Sequence, residues 1–255
     1  SGNYDSSITI TKNVTIAAAP GVAAVFSASV ANGSIIKFGY DRSSCAAVGE
    51  CHTLTLRNLI FDGRDVTQDA VRAAEIRLLA EDCTFTRFRF GVLVIGSGQY
   101  QFKNCIFQSL ETGLKFAPST DGTIVRSPTL AVVEDCRFAG MSWAGIEMYT
   151  GPLGNHTLRA VVRNSLFNRS EVGVISDAGT GGSIQVDLEG CEITNSLAGV
   201  VSVYADSTVR VSNSIITGNG MGLSADYGGQ LLSRRNNTVE NNTANGSFTG
   251  FFVAK

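Results

Sequence analysis

The sequence predicts an all-β solenoid, a single domain in which a unit of three short strands repeats along the chain. Three observations carry this. A five-residue stretch recurs, first clearly as Glu81-Asp82-Cys83-Thr84-Phe85. It returns as Lys103-Asn104-Cys105-Ile106-Phe107, Glu134-Asp135-Cys136-Arg137-Phe138, Arg163-Asn164-Ser165-Leu166-Phe167, Glu189-Gly190-Cys191-Glu192-Ile193 and Ser212-Asn213-Ser214-Ile215-Ile216. Successive copies lie 22 to 31 residues apart, a period that marks stacked repeats. Apolar residues alternate on either side of each copy, which is strand periodicity, and a glycine follows each copy eight or nine residues after the Cys/Ser position.

Each part of the unit has a reason. Before the Cys/Ser position stand apolar pairs such as Tyr100 and Phe102 or Val186 and Leu188; two residues after it stand Phe85, Phe107, Phe138, Phe167, Ile193 and Ile216. Alternating side chains of this kind point into one interior. The Asx before the Cys/Ser position and the later glycines suit corners, where backbone freedom is needed. After the glycine comes a third apolar pair, as in Leu114 and Phe116 or Ile146 and Met148. Three strands per turn can stack only as a coil, so like residues should form ladders about 4.8 Å apart. About 9–10 such turns fit the chain.

In chain order, Ile8-Thr9-Ile10, Val14-Thr15-Ile16 and 34–38 read as strands. The stretches 39–52 and 62–72 read as loop excursions. Eroded copies of the repeat stand at Arg57-Asn58-Leu59-Ile60-Phe61 and Arg235-Asn236-Asn237-Thr238-Val239. Ile76, Leu78 and Ala80 fit a strand better than a helix. Further excursions are expected at 117–129, 150–158 and 176–183, all leaving the same corner. The last stretch, 248–255, is apolar enough to cap the coil or to make an end-to-end contact, and homo-oligomers are an expectation of the same kind.

Composition narrows the function. Net charge is −2 and charged residues make up 16%, so there is no basic excess to attract nucleic acid. No apolar run is long enough for a membrane span. The chain starts within a repeat-like pattern, so a missing N-terminal cap and a removed signal segment are expected. Cys83, Cys105, Cys136 and Cys191 share one slot with Ser165, Ser214 and Leu59. That exchange, and the lack of CxxC spacing, marks buried free thiols in a structural ladder rather than a metal site. Cys45 and Cys51 close a short loop outside the repeat, where a disulfide fits and would imply an oxidising compartment. Sequons such as Asn13, Asn168 and Asn241 read as Asn-rich corners. No cofactor motif appears, and nothing in the sequence supports calcium.

These ladders resemble the right-handed parallel β-helix of the pectate-lyase-like superfamily, over about residues 8 to 250. The stretch from Asn236-Asn237-Thr238 to Asn245-Gly246-Ser247-Phe248-Thr249-Gly250 is similar to bacterial right-handed β-helix repeat proteins. The resemblance implies a secreted, periplasmic or cell-surface protein and polysaccharide as the partner class. The chain lacks the Asp-Asp pair of polygalacturonases and the calcium-binding Asp cluster of pectate lyases.

The outward charges Arg57, Glu81, Lys103, Glu134, Arg163 and Glu189 alternate in sign turn by turn, which reads as a register-fixing ladder. The candidate site lies on the other side, where the loops depart. Lys115, Glu147 and Ile175 should share one outward column, with Ala117, Tyr149 and Asp177 in the next. The loops add Asp121, Arg126, Asn155 and His156, and the single Trp, Trp143, stands beside them. Rings that cover sugar faces, with charges and amides for hydroxyls or uronates, suit a glycan-binding groove. An enzyme would use Glu147 with Asp177 or Asp121 as a hydrolytic pair, or Lys115, Tyr149 or His156 as the base of a lyase. The plainer readings are a cross-strand Lys115–Glu147 ion pair and a solvated loop histidine at 156. A binding or adhesive module and a lyase or hydrolase are therefore the two function classes.

Overall fold

A computed structural model describes residues 7–27, 34–38, 52–118, 128–151, 156–179 and 181–253. Two sheets, both parallel, account for the strands. One contains ten strands in the order Val14–Ala17, Thr53–Arg57, Ile76–Glu81, Gly98–Lys103, Thr129–Glu134, Thr157–Arg163, Ser183–Glu189, Ser207–Ser212, Gln230–Ser233 and Gly250–Phe251. Each strand contributes one rung, so this is the first ladder. The second ladder runs through Ile106–Gln108, Arg137–Ala139, Leu166–Asn168, Glu192–Thr194, Ile215–Thr217 and Thr238–Glu240. The third runs through Thr112–Phe116, Ala144–Tyr149, Val172–Asp177, Ala198–Val203 and Met221–Asp226. In two early turns the second and third strands are continuous, as Leu59–Ala73 and Thr84–Val94, and this fuses the two ladders into one 16-stranded sheet. The chain is a parallel β-helix.

One expectation changes here. Residues 62–72 form no loop; they lie within the strand Leu59–Ala73, whose register slips between Asp62 and Val66 and again between Val66 and Asp69. Extra residues are absorbed as bulges, and Asp62, Asp69 and Arg72, among the polar groups that suggested a loop, are partnered. Arg87 pairs with Asp62, and Arg72 Nε lies 2.9 Å from Asp69 Oδ2. Asp69 is buried and also accepts from Ser34 at 3.3 Å. Desolvation outweighs these partners and pushes its carboxyl above the usual carboxylate range.

The core is a set of columns. Phe26, Phe61, Phe85, Phe107, Phe138 and Phe167 stack at centroid spacings of 4.7–5.3 Å, offset-stacked geometry that adds about 0.5–1.5 kcal/mol per pair beyond burial. The glycines opposite are required by this stack. A Cβ on Gly145 would meet the Gly173 carbonyl oxygen and the Phe167 ring, both at 2.6 Å. The corner before the Cys/Ser slot is left-handed at Asn58, Asp82, Asn104, Asp135, Asn164 and Asn213, with φ between 48° and 57°, a conformation Asx residues tolerate better than most.

The Cys/Ser slot is a hydrogen-bonded ladder as well as a packed one. Cys136 N–H donates to Ser165 Oγ at 3.1 Å, Cys191 N–H to Ser214 Oγ at 3.1 Å, and Ser214 N–H to Asn237 Oδ1 at 3.0 Å. The slot side chain donates in turn to the carbonyl two residues before it, Ser165 Oγ to Arg163 at 2.8 Å and Cys136 Sγ to Glu134 at 3.2 Å. Cys83, Cys105, Cys136 and Cys191 are all free and buried. Burial pushes the Cys191 thiol up to about 11, and the hydrogen bond with the thiol of the next turn, together with burial, raises Cys83 and Cys105 further. The proposed partners Cys45 and Cys51 lie outside the described residues.

On the outer face of the first ladder, Arg57 pairs with Glu81 at 3.0 Å, and Arg163 with Glu134 at 3.1 Å and Glu189 at 3.6 Å. These exposed pairs are each worth about 0.2–1 kcal/mol and chiefly set register. At the last turn, Arg235 lies over the exposed Phe251 ring at 4.1 Å.

Candidate functional site

The third ladder carries its outward residues in two columns. Lys115 pairs in register with Glu147, and Glu147 with Ile175; Tyr149 pairs with Asp177. This is the arrangement expected from the glycine-to-strand spacing. Lys115 Nζ lies 2.8 Å from Glu147 Oε1, with the two side chains only 23% and 13% exposed. The other carboxylate oxygen, Glu147 Oε2, is buried and takes no hydrogen bond. Asp177 Oδ1 accepts from Gly179 N–H at 3.0 Å, which holds the turn that follows.

Aromatic and apolar groups flank the pair. Lys115 Nζ sits 5.2 Å from the centroid of Phe90, and the Arg89 guanidinium 4.7 Å from it. Arg89 also reaches Glu111 at 3.2 Å. Phe90 and Leu93 are buried yet stand apart from the main core. On the other side, Ala144, Val172 and Val201 form a separate small cluster, with Trp143, Ile175, Ala198 and Val203 packed on it. Ile175 belongs to this cluster and is also the cross-strand neighbour of Glu147. The strip therefore runs from charged to apolar within two turns. Thr112, on the Lys115 strand and fully buried, has a second unpartnered polar atom in its Oγ1.

His156 does not belong to this strip. It stands two residues before the core residue Leu158, on the same side of the strand, and is 4% exposed with Nδ1 unpartnered. Burial pushes its imidazole below the usual histidine range. Asp121, Arg126 and Asn155 lie outside the described residues. The sequence reading missed Phe90 and Thr112. Both occupy the position before the repeat glycine, a column continued by Ala144 and Val172, and that column was the available signal.

Three concavities on the described surface lie elsewhere. The largest, about 600 Å³, crosses the first ladder and is lined by Arg77, Leu79, Gln99, Gln101, Leu130 and Val132 among others. Others of about 310 and 500 Å³ lie near Asn58 and near Arg235. Among the described residues no group of three or more His, Cys, Asp or Glu side chains is placed to hold a metal ion, and no helix is long and apolar enough to cross a membrane.

No protein-family model matches the chain, and no curated protein matches it. Among solved structures, it is similar to Geobacillus virus E2 ORF18, with 14% identity and a TM-score of 0.46 over 93% of this chain and 50% of that one. It is also similar to pectate lyase Pel9A, with 14% identity and a TM-score of 0.38 over 91% of this chain and 64% of that one. The chain thus spans half the length of the first and under two thirds of the second. The fold implied by the sequence resemblance, a parallel β-helix, is the one this chain adopts, on the evidence of its own ladders.

Proposed function

We propose that this chain is a β-helix module of a secreted, periplasmic or cell-surface protein that binds polysaccharide on the outer face of its third ladder. The observation that supports this is the contrast between faces. On the first ladder Arg57 pairs with Glu81, and Arg163 with Glu134 and Glu189. On the third, a buried carboxylate oxygen of Glu147 is left without a donor; its ion-pair partner Lys115 lies over the Phe90 ring, and its cross-strand neighbour Ile175 belongs to the apolar cluster that carries Trp143. Buried polar atoms are rarely left unpaired, and an acceptor next to aromatic and apolar surface suits a sugar hydroxyl and ring face. The fold supplies a face of stacked parallel strands on which a long polymer can lie.

A second reading, glycoside hydrolysis, draws on the register that sets Glu147 and Asp177 on adjacent turns two residues apart, since paired carboxylates carry that chemistry. Affinity electrophoresis through gels containing a set of neutral and acidic polysaccharides tests the binding reading. Retardation by at least one polymer is expected; equal mobility in every gel would contradict it. Shortened sugars released from a retarding polymer would favour hydrolysis.

A further inference from the structure

The charge state of the candidate strip narrows the class of glycan. Lys115 is the cation at its centre, and its ammonium is already matched by Glu147 at 2.8 Å and lies over the Phe90 ring. The neighbouring cation, Arg89, is likewise matched by Glu111 at 3.2 Å. What Glu147 Oε2 lacks is a donor. Among the described carboxylates, Glu147 alone has a buried oxygen with no hydrogen-bond partner. One column on, Asp177 adds a second negative charge in register with Tyr149.

A uronate carboxylate placed here would meet two carboxylates and a cation that is already paired. A neutral sugar would bring hydroxyl donors to Glu147 Oε2. Its oxygens could accept from the N–H groups of Lys115 that face away from Glu147. Its apolar face would lie toward Ile175 and Trp143, which share one cluster. A carboxylate hydrogen bond to a hydroxyl is among the stronger neutral–charged contacts.

We infer that the strip around Lys115, Glu147 and Trp143 recognises uncharged, hydroxyl-bearing sugars and excludes uronates. The inference rests on the glycan-binding reading above. It has a consequence that a merely structural ion pair would not have: replacing Glu147 by Gln removes the acceptor and frees the Lys115 cation, so the preference should invert.

Isothermal titration of the whole chain with cello-, manno- and xylo-oligosaccharides and with oligogalacturonates of matched length tests this. The wild type should bind at least one neutral series and bind oligogalacturonates about tenfold more weakly or worse. Glu147→Gln should lose about tenfold toward the neutral sugar and gain toward oligogalacturonates, with that gain diminishing as salt rises. An unchanged thermal midpoint shows the variant folded. If it fails to fold, Lys115→Met takes its place and should exclude oligogalacturonates more strongly than the wild type does. A wild type that prefers oligogalacturonates, or a variant pair with unaltered preference, overturns the inference while leaving glycan binding standing. Binding to neither class removes the glycan-binding reading and this inference together.

Discussion

The backbone N–H of Cys136 donates to Ser165 Oγ, one full turn further along the coil, at 3.1 Å. This bond explains why a single position of the repeat exchanges Cys, Ser and Asn but not larger apolar residues in the later turns. The corner turns the N–H inward, away from water, and the next turn's side chain must accept it. Ser165→Ala should therefore leave a buried donor unpaired and cost about 1–3 kcal/mol. Ser165→Cys, which keeps an acceptor, should cost less. Urea midpoints of the two variants check the order; equal losses would show that packing alone governs the slot.

The same burial governs reactivity. The Cys191 thiol is pushed up to about 11 by desolvation, and Cys83 and Cys105 are raised further. The thiolate is the reactive form, so the ladder thiols should resist alkylation in the folded protein and react only on unfolding. Residue-resolved mass spectrometry after iodoacetamide treatment, with and without denaturant, measures this. Rapid labelling of Cys83 or Cys191 in the native protein would contradict the ladder.

Gly145→Ala tests the contact between the glycine and phenylalanine columns. The added methyl would lie 2.6 Å from both the Gly173 carbonyl oxygen and the Phe167 ring. Neither backbone nor a ring held in a stack yields easily, so a loss of about 1–3 kcal/mol or more is expected. A thermal midpoint unchanged from wild type would mean the turns can slide apart freely.

His156 adds a pH dependence of definite sign. Its folded-state imidazole is depressed by burial below the ordinary 6.5, so the folded state binds the proton less readily than the unfolded state. Stability from this residue is complete above the ordinary value. It falls as pH drops below about 6.5 toward the depressed folded value. The urea midpoint should therefore decline between about pH 7.5 and about pH 5.5, and His156→Gln should flatten that decline. A variant with the same slope as wild type would place the titration elsewhere.

Much of this was legible in the sequence because a coil repeats its environment. The Phe, Gly and Cys/Ser columns each appear at a fixed offset, and the register Lys115–Glu147–Ile175 follows from counting after the glycine. What was not legible depends on parity across a turn of unknown length. His156 looks like a loop residue until Thr157–Arg163 is known to begin one residue later, which places it on the same side as Leu158. Residues 62–72 look like a loop because polar side chains dominate, whereas two register slips keep the backbone in the sheet. The unpaired Oε2 of Glu147 is a matter of side-chain orientation, which spacing does not encode.

Trp143 is the single tryptophan of the chain, and it packs on the cluster that includes Ile175, the neighbour of Glu147. Its fluorescence therefore reports directly on the proposed face. Titration with the oligosaccharide of whichever polymer retards the protein should give a saturable change in emission. The midpoint should match the dissociation constant from calorimetry and should weaken in Glu147→Gln. Binding that saturates by calorimetry while Trp143 emission stays unmoved would place the sugar on another face and contradict the account.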